Sequence, residues 1–190
     1  MDLILASKSA PRRKALEILG LKYRVVPSNV DEKLIRDDNP ITLVKKLTEA
    51  KIRQVGDENK ESLIIGGDLI VCFNGKIYEK PADNEEAKSM LKSFSGKWLS
   101  IIGGIAVFNP KTNKLYSAVE EYKVKFRELS AYEIDDYVKR YPALNCAGAF
   151  EGDGLFRFAE VAEGNYPFTS QITFPMNKLI EFLREESVQV

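Results

Sequence analysis

The sequence contains no histidine. That absence removes imidazole acid–base catalysis, Ser-His-Asp and Cys-His nucleophile systems, and the common histidine-containing zinc sites. Cysteine is nearly as scarce. Cys72 and Cys146 lack CxxC spacing, so no disulfide framework is indicated and the chain reads as a cytoplasmic protein of a reducing compartment. No apolar run reaches the roughly 18 residues of a membrane span. Met1 to Ala6 is too short for a signal peptide, and its second residue is an acid. Neither sign of charge prevails, with 28 basic against 28 acidic residues. A non-specific nucleic-acid binder needs a basic excess, so that class is not expected, although a local basic patch could still hold a small anion. What chemistry remains must use carboxylates, lysines, arginines and hydroxyls, with or without a metal.

The chain has 190 residues and is 44% hydrophobic, enough for a sizeable core in one domain, with or without two lobes. Leu3 to Ala6 reads as a short buried strand. Pro11 suits the first turn of a helix that runs through Ala15, Leu16, Ile18 and Leu19 to a stop at Gly20. Tyr23 to Val26 is a second strand. Asn39-Pro40 opens a helix on which Ile41, Val44, Leu47 and Val55 recur at helical spacing. Leu63 to Phe73, the most apolar stretch, predicts a central strand, and Asn74-Gly75 a tight hairpin turn. Asp83 with Glu86, and Ser130 with Glu133, are capping-box signatures before helices ending near Phe94 and Tyr141. Trp98 to Phe108, Leu115 to Phe126 and Leu155 to Val161 read as strands. A last helix begins at Pro175, with Leu179, Ile180 and Leu183 on its buried face. Alternating strands and helices with hairpins among them predict an α/β fold on a mixed sheet.

Four segments could carry chemistry. In the first, the hydroxyls of Ser7 and Ser9 precede a helix that starts with Arg12, Arg13 and Lys14. Helix N-termini attract anions, and guanidinium groups grip phosphate oxygens in pairs. The glycine pattern of a P-loop is missing, so Walker-type chemistry is not expected. In the second, Gly66-Gly67-Asp68 places an acid inside an apolar strand, where it is costly unless paired or metal-bound. The glycines would let another group approach closely. The third is Glu79-Lys80-Pro81, a lysine on a stiffened support. The fourth is the stretch from Asn145 to Gly154, rich in small residues, whose Asp153 could accept hydrogen bonds from a base edge. Cys146 there reads as a packed small residue, with no histidine to make it a nucleophile. Glu32 and Lys51 carry weaker signals by themselves.

Together these segments resemble the Maf family of nucleotide pyrophosphatases over nearly the whole chain. Ser7-Lys8-Ser9-Ala10-Pro11-Arg12-Arg13 is similar to the family's Ser-x-Ser-Pro-Arg-Arg, Gly67-Asp68 to its Ala-Asp-Thr, and Lys80-Pro81 to its Lys-Pro. Ser95-Gly96, Val124-x-Phe126, Leu129-Ser130, Tyr137, Ala147-Gly148-Ala149-Phe150 and Gly164-Asn165-Tyr166 follow in the family's order. The resemblance implies an elongated mixed sheet with flanking helices and a cleft between two lobes, within a single domain spanning 1–190, similar to the inosine triphosphatase-like fold. It implies hydrolysis of a nucleoside triphosphate to monophosphate and pyrophosphate, with Mg2+ or a related ion (Mn2+, Co2+), and often a homodimer. Carried over by position, Ser9, Arg12, Arg13, Lys51 and Lys80 hold phosphates, Ser7 joins the substrate-binding set, and Lys80 also counts among the catalytic residues. Asp68 is the base, joined by Glu32 at the metal and water. Leu69, Asp153 and Arg12 bear on base choice.

The sequence departs from the pattern at several points. Ala10 is an extra residue between Ser9 and Pro11. Leu69 replaces a Thr or Gln, and Leu99 and Gly103 replace a His and a Thr. Cys146 stands where the dTTP/UTP-cutting branch has lysine. Together with an acid at Asp153, it looks more like the branch that cuts 7-methyl-GTP, whereas Leu69 fits neither branch. The inserted and lost residues also motivate a rival reading, a nucleotide-binding regulator of cell division with weak or no catalysis.

Overall fold

The computed structural model describes residues 2–152, 154–164 and 175–190. Its seven strands are β1 (Asp2–Leu5), β2 (Arg24–Val25), β3 (Ser62–Phe73), β4 (Lys76–Tyr78), β5 (Trp98–Asn109), β6 (Lys114–Phe126) and β7 (Ala159–Gly164). Its helices are α1 (Ala10–Ile18), α2 (Pro40–Glu58), α3 (Asn84–Phe94), α4 (Ala131–Arg140), α5 (Leu155–Phe158) and α6 (Met176–Glu185). The strands form one sheet in the order β2-β1-β3-β5-β6-β7, with β4 added to β3. β1 runs parallel to both β2 and β3, while β4 and β7 pair antiparallel with β3 and β6. The sheet is therefore mixed, as the sequence pattern predicts. No helix among the described residues is long and apolar enough to cross a membrane.

The chain divides into two compact units. The first comprises the described residues of 1–68, 103–120 and 167–190. Its central strands β1, β3 and β5 are largely buried, and the side-chain alternation of a strand sorts their residues into two layers. Leu3, Leu5, Leu63, Ile65, Ile105 and Val107 pack with Ala15 and Leu16 of α1 and Leu179, Phe182 and Leu183 of α6. Ile4, Ala6, Ile64, Ala106 and Phe108 pack with Ile52 and Val55 of α2 on the opposite face. A β-carbon at Gly66 would collide with Ile52, so glycine there lets α2 lie close on β3. α1 ends in a Schellman turn. Gly20 sits at φ 68°, its N–H donates to Glu17, and the Leu21 N–H donates to Leu16.

The second unit comprises 69–102 and the described residues of 121–166. Its core is aromatic. Phe94 is fully buried and meets Phe73, Tyr78, Phe126 and Phe150 edge-on, with ring centroids 4.8–6.4 Å apart. Asn74 and Gly75, at φ 50° and 74°, close the β3–β4 hairpin as a two-residue turn. Ser130 and Glu133 form the expected capping box. At α3 the pattern slips by one residue: Asp83 accepts from the Glu86 N–H, but the Glu86 carboxylate turns back to the Ala82 N–H.

Some expectations need correction. Leu155 to Val161 is not one strand, because its first residues form α5. Leu155 and Phe158 are buried while Phe156 between them is exposed, a spacing of three that belongs to a helix. On α6 the buried positions are Leu179, Phe182 and Leu183, not Ile180.

Candidate active site

In the first unit, three segments distant in sequence converge. The pivot is Lys51 on α2. It shares the helix's buried stripe with Val44, Thr48 and Val55, positions at which a lysine is out of place unless its charge is met. The ammonium lies 3.1 Å from Oδ1 of Asp68 and 2.9 Å from Oε1 of Glu32. Asp68 is buried. It lies on β3 beyond Ile65, where pairing with β1 stops, and before Val71, where pairing with β4 starts. Glu32 sits instead on an exposed 3-10 turn, Glu32–Leu34, capped by the Asp31 side chain. One buried cation thus joins a carboxylate fixed in the sheet to one carried on a surface turn.

The loop before α1 supplies the second half of the cluster. Ser7 Oγ accepts from Arg12 Nη1 at 3.2 Å and from the Ser9 N–H at 3.2 Å. Ser9 is the N-cap residue of α1, yet its side chain makes no capping bond, and no acid lies in the first turn. The extra Ala10 becomes the first helical residue, with Arg12 placed to reach Ser7. Burial works to lower the Arg12 pKa, and the carboxylates of Asp68 and Glu32 oppose it. Their influence ties the arginine to the same acidic pair that Lys51 holds. Ser7, Ser9, Arg12, Glu32, Lys51 and Asp68 therefore form one polar cluster. Arg13 does not join it in any described contact. It is exposed, its carbonyl accepts from the Tyr23 hydroxyl at 3.3 Å, and its charge acts on Tyr23.

A family model for Maf-like proteins matches residues 2–186. The chain belongs to the Maf-like protein family. A dTTP/UTP pyrophosphatase of Aquifex aeolicus (strain VF5) is 37% identical over 97% of this Maf-like chain and 95% of its own length. A 7-methyl-GTP pyrophosphatase of Idiomarina loihiensis (strain ATCC BAA-735 / DSM 15497 / L2-TR) is likewise 37% identical, over 99% and 96%. Among solved structures, the Ham1 protein of Staphylococcus aureus aligns with 98% of this chain and 100% of its own, with a TM-score of 0.49 and 13% identity.

Two other expected site residues of the Maf-like chain, Leu69 and Lys80, lie in its second unit. Leu69 is half-buried on β3 and, by strand alternation, faces the opposite way from Asp68. Lys80 is exposed, and its charge acts on the Cys146 thiol. The N–H of Gly148 donates to the carbonyl of Glu79 at 3.2 Å, tying the two loops together. Burial above all, then Glu151, pushes Cys146 up to about 11, and Lys80 only partly offsets them. Such a thiol stays protonated at neutral pH, as a packed residue should and a nucleophile should not. Asp153 lies outside the described residues. Its neighbours are braced by Tyr137, whose hydroxyl accepts from the Glu151 N–H at 3.1 Å and leaves no room for a β-carbon at Gly154. Tyr137 falls in the family's order, but no local pattern announces that brace. The place of Lys51 did carry a signal, because a lysine recurring with Val44, Thr48 and Val55 at helical spacing is a lysine aimed inward.

Proposed function

We propose that this Maf-like protein hydrolyses a nucleoside triphosphate between its α and β phosphorus atoms, releasing nucleoside monophosphate and pyrophosphate. The supporting observation is the convergence of Lys51, Asp68 and Glu32 with Arg12 and Ser7. The cluster combines what the reaction needs: a fixed carboxylate to take a proton, and cations and hydroxyls to hold phosphate oxygens. In this reading Asp68 accepts the proton of the attacking water as its oxygen bonds to the α phosphorus. The bond to the bridging oxygen breaks and pyrophosphate departs. Arg12 and Lys51 offset the charge that gathers on the phosphate oxygens, and Ser7 and Ser9 add hydrogen bonds. Arg13 and Lys80 are assigned to phosphate on the family resemblance, and Leu69 and Asp153 to base choice.

Glu32 and Asp68 present two carboxylate oxygens to one cation. That is a hard-oxygen donor set of the kind Mg2+ uses together with water and substrate phosphates. The residues therefore fit the divalent ion that the resemblance implies, with Glu32 and Asp68 as its holders. Bound there, it would neutralise phosphate charge and acidify water. The setting proposed is the cytoplasm, where Cys72 and Cys146 stay free thiols.

One observation favours a second reading, that of a nucleotide binder with little turnover: the base and its partner acid are both engaged by Lys51. The deciding experiment offers dTTP, UTP, 7-methyl-GTP and the remaining canonical triphosphates with Mg2+ and follows both products. Equal amounts of monophosphate and pyrophosphate are expected. Orthophosphate release would overturn the reading, and tight binding without product would replace it with the second one. Sedimentation of the same preparation reads the homodimer that the resemblance implies.

A further inference from the structure

Lys51 sits where a divalent ion would sit. Its ammonium lies between Glu32 and Asp68, at 2.9 and 3.1 Å from one oxygen of each. The Lys51 and Asp68 side chains are 11% and 13% exposed, so neither carboxylate nor ammonium could be left alone there without a large desolvation cost. Resting on the pyrophosphatase reading, we infer that Lys51 is a built-in placeholder cation. It neutralises the Glu32–Asp68 pair while the site is empty and yields that position when a divalent ion binds. The ammonium so released is then available to the phosphate oxygens of the substrate.

The two carboxylates are suited to this exchange in different ways. Metal–oxygen bonds are shorter than ammonium–oxygen hydrogen bonds, so accepting the ion requires the carboxylates to draw together. Asp68 is held within β3. Glu32 rides on an exposed turn, with a side chain 55% exposed, and is the member able to move. Lys51 reaches its position from a helix pinned close to β3 by Gly66, so its stem is fixed while its four-carbon tip can swing. Lys51 is in this sense a positioning residue for the empty site, and it opposes metal binding until substrate phosphates reward its departure. Ion and nucleotide should then bind cooperatively, each strengthening the other by the same factor.

The test uses Mn2+ as the probe ion on the full-length, nucleotide-free protein, with free Mn2+ read by electron paramagnetic resonance. Lys51→Met should bind Mn2+ roughly tenfold more tightly than the wild type. Lys51→Arg, which keeps the charge, should bind no more tightly than the wild type. Adding Asp68→Asn to Lys51→Met should abolish the gain. A second measurement does not require a robust variant. Lys51→Gln should melt at a lower temperature than the wild type in EDTA and recover most of the loss in Mn2+, while the wild type responds little to the ion. Equal or weaker Mn2+ binding by Lys51→Met, or a Lys51→Gln deficit that Mn2+ does not repair, would overturn the inference. No assay here depends on turnover. A wild-type protein that releases no pyrophosphate therefore defeats the functional reading alone, and an unchanged Mn2+ affinity defeats the placeholder alone.

Discussion

The two units solve the same packing problem with different side chains. The first buries mainly aliphatic residues in two layers on either side of regular strands, under α1, α2 and α6. Among its described residues the second has two 3-10 turns, Ala143–Asn145 and Ala147–Ala149, and gathers large rings around Phe94. An aromatic ring buries more surface per residue than an aliphatic chain, so a few rings suffice to fill this core. The first unit holds a buried Lys51–Asp68 pair. The second holds its loops by rings and by hydroxyls, those of Tyr137 and Ser95 among them. Charge chemistry and loop bracing are thus assigned to different kinds of core.

Substitutions that act on one side only sharpen this contrast. The largest effect is expected for Asp68→Asn. Pyrophosphate release should fall by roughly two to four orders of magnitude, the usual worth of a general base, while the far-ultraviolet dichroism stays that of a folded protein. Near wild-type turnover would remove Asp68 from the mechanism. Phe94→Ala should do the reverse, costing about 3–5 kcal/mol in urea unfolding through the cavity it leaves among four rings. A loss below about 1 kcal/mol would mean that the ring cluster is not what holds the second unit.

Next in size is a reactivity. With its pKa raised to about 11, Cys146 should react with iodoacetamide at pH 8 roughly a hundredfold more slowly than an ordinary thiol, read by mass spectrometry of the modified peptide. The sign carries over to stability. The folded protein keeps the thiol protonated more firmly than the unfolded chain does. The benefit is full below the unfolded value of 9.0 and lost as pH rises through about 11. Cys146→Ser should therefore flatten part of the decline in melting temperature above pH 9. The smallest effect concerns Thr48, whose buried Oγ1 has no hydrogen-bond partner among the described residues. Thr48→Val keeps the shape, removes a desolvated hydroxyl and should stabilise the protein by about 1 kcal/mol in the same urea titration.

Much of this architecture could be read from local pattern. The Asn74-Gly75 hairpin, the Ser130–Glu133 box, the stop at Gly20 and the central strand each depend on residues a few positions apart, and each is found. Periodicity misled at 155–158, where four residues are too few to separate a period of two from one of three or four. For the candidate site, a buried Asp68 was expected from its apolar surroundings, which make an unpaired acid expensive. That Lys51 and Glu32 are its partners was not legible from spacing. Seventeen and thirty-six positions separate them from Asp68, and only the docking of α2 and the surface turn against β3 brings them together. The family resemblance named both residues but gave them separate duties, and their mutual contact is a property of the folded chain.

The boundary between the units falls inside β3, between Asp68 and Leu69. Neighbouring residues on a strand look in opposite directions, so position 69 is insulated from the carboxylate proposed as proton acceptor although it is covalently next to it. A designer could therefore randomise that one position and select for new nucleotides. The reactive acid would keep its lysine, its helix and its register in every member of the collection.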